Sequence, residues 1–92
     1  RFGAAEYLGD AESQEVLIRD ALESGDPHYL AHALGIIARA RGMTQLSRDS
    51  GVTREALYKA LSKDGDPRLS TLTSVLSALG VKISADMAPP AA

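Results

Sequence analysis

At 92 residues the chain has room for one compact domain, which would bury about 60–65% of its unfolded surface. Stability is then modest, and pairing with a second copy or a partner would add to it. The absence of cysteine excludes a disulfide framework and any thiolate metal site, and no apolar run approaches the roughly 20 residues that span a bilayer.

The net charge of −2 argues against indiscriminate nucleic-acid binding, but it averages two unlike regions. Residues 1–35 carry two basic side chains against seven acidic ones, whereas residues 36–68 carry seven basic against four acidic. That polarity suggests two partners of opposite sign, although the same charges also read as decoration of helix surfaces. No signal-peptide pattern opens the chain, Arg1 reads as a trimmed start, and a reducing cytoplasm is the expected setting.

A short apolar opening, Phe2 to Leu8, ends at Gly9-Asp10. Asp10 is a suitable N-cap for a helix from about Ala11 to Ser24, because its carboxylate can accept from the unpaired amides of the first turn. Leu17, Ile18, Ala21 and Leu22 form its apolar face, with Glu12, Glu15, Arg19, Asp20 and Glu23 outside. Gly25 stops this helix, and Asp26-Pro27 starts the next, with proline at the first helical position. The second helix runs to about Arg41 with Leu30, Ala33, Leu34, Ile37 and Ala38 as its stripe. Arg39 and Arg41 suit its carbonyl end, and Gly42 closes it.

Two short helices are expected next, about Gln45–Ser50 and Arg54–Ser62, capped by Thr44 and Thr53 and separated by Gly51-Val52. Lys63 to Pro67 is a loop by composition. Ser70 is placed as the cap of a last helix through Leu79, with Leu72, Val75, Leu76 and Leu79 at core spacing and Gly80 as its stop. Val81–Ala85 alternates apolar and polar residues, the pattern of a short strand, and residues 86–92 read as a flexible tail. The expected organisation is a single helical domain over 1–85. It comprises acidic N-terminal helices (1–42), a helix-turn-helix with its supporting helix (43–80) and the strand (81–85).

The segment from Thr44 to Ser62 carries the functional information. A helix-turn-helix needs a short first helix, a tight turn with one residue at positive φ, and a second helix held roughly perpendicular. Gly51 supplies the turn; Leu46, Val52, Leu57, Ala60 and Leu61 supply the packing; Ala56 and Ala60 are small enough for close approach. Arg54 and Tyr58 are four apart, as are Glu55 and Lys59, so the four share an outer side with Thr53 at its tip.

In this motif the N-terminal residues of the second helix meet base edges in the major groove. Arg54 suits bidentate bonds to guanine, Glu55 the amino group of cytosine, and Tyr58 a thymine methyl or a phosphate. Lys59, Lys63 and Arg68 suit phosphates, as do Thr44 and Gln45 at the start of the first helix. The plain alternative is decoration: a Glu55–Lys59 surface pair worth about 0.2–0.5 kcal/mol, Tyr58 covering the core edge, and solvated loop charges at Lys63 and Arg68.

The runs Asp26-Pro27, Ala33-Leu34-Gly35 and Ile37 through Gln45 resemble those of addiction-module antidote (antitoxin) proteins of the HigA-like, Cro/phage-repressor-type (XRE) helix-turn-helix family. Gly51 through Ser62, Ala78 through Ile83 and the opening Ala5 to Leu8 share the resemblance, which spans about residues 4–85. It implies an all-α, five-helix lambda-repressor-like helix-turn-helix domain with an extra N-terminal helix and a short C-terminal β-strand. It also implies neutralisation of a co-encoded basic toxin, often a ribosome-dependent mRNA-cleaving nuclease. A further implication is repression of its own promoter by a homodimer on double-stranded operator DNA. By the same resemblance Arg54, Glu55, Tyr58 and Lys59 match the recognition-helix positions. Ser47 and Ser50 depart from it, standing where alanine and an apolar residue are usual.

The acidic first third is complementary to a cationic toxin, and Val81–Ala85 could pair with a strand of a second copy or of the toxin. A toxin-free repressor of the Cro type, and a neutraliser that no longer binds DNA, are the competing readings. No enzyme, cofactor, metal or membrane role is expected. His28 and His32 are four apart on a helix but lack an evident third ligand, and Asp64-Gly65-Asp66 lacks the spaced ligands of a calcium loop.

Overall fold

The computed structural model describes residues 10–90, so the apolar opening Phe2–Leu8 lies outside the described residues. Five helices follow in order: α1 (Ala11–Ser24), α2 (Pro27–Arg41), α3 (Met43–Ser50), α4 (Arg54–Ala60) and α5 (Leu69–Ala78). The first two begin as their capping residues dictate. The Asp10 carboxylate accepts from the Ser13 amide at 2.7 Å, which holds its pKa below the ordinary value of 3.8. The Asp26 carboxylate accepts from His28 at 2.9 Å, with Pro27 following it at the start of α2.

The core gathers one face from every helix. Ile18 comes from α1; Leu34, Ile37 and Ala38 from α2; Met43 and Leu46 from α3; Leu57 from α4; and Val75 and Leu76 from α5. Leu61 and Leu79, just past their helices, complete it. The α2 helix is its axis, since Ala31 and Gly35 are buried together with Ala33, Leu34, Ile37 and Ala38. That is a wider buried surface than the single stripe read from the sequence.

Gly35 explains how α2 can be buried so fully. A Cβ built there would lie 2.0 Å from the Leu61 carbonyl oxygen and 3.1 Å from Arg39 Nη1. Only a residue without a side chain lets the end of α4 come this close.

Polar contacts join the outer layers. The Arg41 guanidinium donates from Nε to Gln14 Oε1 at 2.7 Å and from Nη1 to the Leu79 carbonyl at 3.0 Å, linking α1, α2 and the end of α5. Arg41, itself exposed, thus does more than offset the α2 dipole, and Gln14, which the periodicity did not single out, is buried beneath it. The Tyr29 hydroxyl donates to Asp20, tying α2 back to α1, and that bond raises the phenol above its ordinary pKa of 10.0.

Several expectations are corrected. Among the described residues there is no β-strand, so the short C-terminal strand at Val81–Ala85 is absent. Gly80 is left-handed at φ +79°, its amide donates to Ser77, and the Val81 amide donates to the Leu76 carbonyl at 2.9 Å. These bonds close the end of α5 and use Val81 as part of its cap. Residues 82–90 are exposed, and no second strand among the described residues offers a ladder.

Thr44 does not cap α3. Gly42 both ends α2, donating to the Ala38 carbonyl, and precedes α3, accepting from the Leu46 amide. Ser70 likewise lies inside α5, whose N-cap position is Arg68. Leu22, placed on the apolar face of α1, is 52% exposed, and Ala56 is exposed too.

Two outcomes are expected. Gly35→Ala should lower unfolding free energy by about 2–3 kcal/mol in urea titration, because the added carbon must displace the backbone of Leu61. Secondly, the stabilisation from the Tyr29–Asp20 bond should be present below the unfolded phenol's pKa and lost as pH rises through the raised folded value. Tyr29→Phe should remove that alkaline slope in melts recorded across pH.

Candidate nucleic-acid interface

The α3 and α4 helices are separated by three residues, Gly51, Val52 and Thr53. Gly51 takes φ +75°, a left-handed conformation in which a side chain would be strained, and its amide donates to the Ser47 carbonyl at 3.0 Å. Val52 is half-buried against the core. Thr53 then starts α4 as its cap, its hydroxyl oxygen accepting from the Ala56 amide at 3.1 Å.

The two serines that departed from the expected apolar pattern bind this turn. Ser47 donates from its hydroxyl to the Val52 carbonyl at 2.6 Å, and the Val52 amide donates to the Ser50 hydroxyl at 3.2 Å. The two hydroxyls therefore satisfy the turn's backbone with directed bonds where other members of the family it resembles would pack apolar groups. Their departure from the usual residue types was the signal in the sequence for these bonds.

Beneath α4, Leu57 and Leu61 are fully buried, which fixes the face the helix turns outward. Arg54, Glu55, Tyr58 and Lys59 are all exposed on it. No Glu55–Lys59 ion pair forms; among the described residues the ion pair present is Arg19–Glu15 on α1, at 2.7 Å. Thr44 and Gln45 are exposed in the first turn of α3, where Gln45 donates its side-chain amide to Asp49 at 2.8 Å. Lys63 is exposed in the loop beyond α4, and Arg68 is exposed at the N-cap position of α5.

One residue joins this face from outside the pair of helices. Arg39, in the last turn of α2, places its guanidinium carbon 5.4 Å from the centre of the Tyr58 ring. That distance is within the range of a cation–π contact. The sequence reading assigned Arg39 only to the dipole of its own helix, because a spacing of 19 positions is not a helical repeat.

No three histidine or acidic side chains among the described residues are arranged to hold a metal ion. No helix among them is long and apolar enough to cross a membrane.

Comparison with known proteins places the chain. A family model described as "Probable addiction module antidote protein" matches residues 1–87. A protein of Haemophilus influenzae, itself named only as uncharacterized, is 41% identical over 81 residues, covering 88% of this chain and 84% of its own length. No solved structure matches the chain. The chain belongs to the addiction-module antidote family, the antitoxin class, whose role is regulatory and implies a cognate toxin as partner.

The turn chemistry is open to measurement. Ser47→Ala should lower unfolding free energy by about 1 kcal/mol through the lost bond to Val52. Gly51→Ala should cost about 1–2 kcal/mol through the left-handed backbone. Urea titration reads both, and far-UV circular dichroism should show unchanged helix content in the folded baseline.

Proposed function

We propose that the chain is the antitoxin of a type II toxin–antitoxin module, in which α3, the Gly51–Thr53 turn and α4 form a DNA-binding helix-turn-helix. In this reading it neutralises a cognate mRNA-cleaving toxin and, as a dimer in the cytoplasm, represses its own operon. Family membership supports the antitoxin half.

The observation that carries the DNA half is the outward side of α4. Arg54, Glu55, Tyr58 and Lys59 are exposed on a short helix whose orientation is set by buried Leu57 and Leu61 beneath it and a hydrogen-bonded turn before it. A side chain reads base edges only if its backbone is held firmly, so a rigid turn and a polar outer face belong to one device. Arg54, in the first turn of α4, is the residue proposed for guanine. Thr53, Glu55 and Tyr58 complete the base-facing set, while Thr44, Gln45, Lys59, Lys63 and Arg68 hold phosphates.

Dimerisation follows from the size of the reader. One seven-residue helix spans few base pairs, and a symmetric pair on two half-sites multiplies the contact. The acidic outer residues of α1, Glu12, Glu15, Asp20 and Glu23, offer a face of opposite sign for a basic toxin, setting encounter rate and specificity.

A gel shift with the DNA upstream of the gene tests the first half. Wild type should bind as a dimer with affinity falling steeply with salt, and Arg54→Ala should weaken binding about 10- to 100-fold. Absence of any shift on that DNA or on selected random duplexes would remove the DNA-binding reading. For the second half, co-expression with the neighbouring reading frame should restore growth and yield a co-purifying complex. A neighbour that is neither toxic nor bound would remove the neutralising role.

A further inference from the structure

We propose that Arg39, on α2 and outside the two-helix unit, is a DNA-contacting residue that also positions Tyr58. Its guanidinium holds the Tyr58 ring on the outer side of α4, while its remaining N–H groups are offered to a backbone phosphate beside that helix. The inference rests on the DNA-binding reading of α3 and α4, and adds to it a residue from a third element.

Three observations converge on Arg39. Its guanidinium carbon lies 5.4 Å from the centre of the ring of Tyr58, a residue 41% exposed on the face proposed to meet DNA. A carbon added at Gly35, one turn before Arg39 on the same side of α2, would come within 3.1 Å of its Nη1. The side chain is therefore laid across the bare backbone of Gly35, at the point where α2 meets the end of α4. Finally, Arg39 is exposed, and no carboxylate among the described residues lies within salt-bridge distance of it. Its charge is not neutralised within the described protein.

The chemistry of the guanidinium makes the two roles compatible. Contact with an aromatic ring uses the flat face of the cation, whereas its N–H donors point outward in the plane. A phosphate oxygen can be bonded without breaking the ring contact. Lysine could supply the charge but not the planar face. Tyr58 in turn loses rotamer freedom before DNA arrives, so less ordering remains to be done on binding.

The test is fluorescence anisotropy of the full chain on a duplex of its upstream DNA, across about 50–200 mM salt. Arg39→Gln should weaken binding about tenfold, the scale of one charge-assisted hydrogen bond. It should also make the slope of log affinity against log salt shallower by about 0.9 for each protomer. Arg39→Lys should recover the wild-type slope. Tyr58→Leu combined with Arg39→Gln should cost less than the product of the two single losses, because each variant breaks the same contact.

A constant fraction of inactive protein does not alter the slope, so lost stability alone does not mimic the result. If Arg39→Gln keeps the wild-type affinity and slope while Arg54→Ala loses binding, Arg39 is surface decoration and only this inference fails. If wild type binds no DNA at all, the DNA-binding reading falls and Arg39 falls with it.

Discussion

Where α2 passes the end of α4, the backbone of Gly35 faces the Leu61 carbonyl so closely that one added carbon would stand 2.0 Å from its oxygen. The rest of the arrangement depends on that approach. It allows α2 to be buried on a broad surface, with Leu34, Ile37 and Ala38 in the same core as Leu57 and Leu61. Because Leu57 and Leu61 are fixed from below, α4 has a defined outer side. Arg39 then extends over the same junction to reach Tyr58. A larger residue at position 35 would disturb core and candidate interface together.

A second set of constraints is polar. A turn of three residues between two helices leaves little apolar surface to hold it, so its backbone groups must find partners nearby. Ser47 and Ser50 supply them through the carbonyl and the amide of Val52. Arg41 does similar work over a longer range, joining Gln14 of α1 to the carbonyl of Leu79. Of these side chains, Arg41 is the one that connects separate helices, α1, α2 and the end of α5. For a family of antidotes that must meet a toxin, it also means that α1 is not an independent arm but is tied to the body by Arg41 and Tyr29.

The helices that stand between clear punctuation were legible. Asp10 with Gly25, and Asp26-Pro27 with Gly42, mark the ends of α1 and α2 as local chemistry predicts. The start of α3 was displaced because Gly42 serves two helices at once, and propensity rules treat a helix stop and a helix start as separate residues. The start of α5 was misplaced for a related reason: Ser70 is a good cap by type, yet the chain turns into the helix at Arg68. The alternation after Gly80 resembles a strand, but a strand exists only with a neighbour to bond. In the candidate interface, the exposed positions on α4 followed from helical spacing, whereas Arg39 did not.

The sequence by itself determined the number and order of the five described helices, the glycine that makes the α3–α4 turn, and the outer positions of α4, because all of these depend on residues within about four places of one another. Tertiary structure decided what needs distant partners. It made Gly35 indispensable through Leu61, turned Ser47 and Ser50 into turn anchors through Val52, joined Arg41 to Gln14 and Leu79, and left Val81 as the end of a helix cap. It also brought Arg39 to Tyr58. Contacts between residues remote in the chain carry no local pattern, and only closure of the core around α2 selects which of them form.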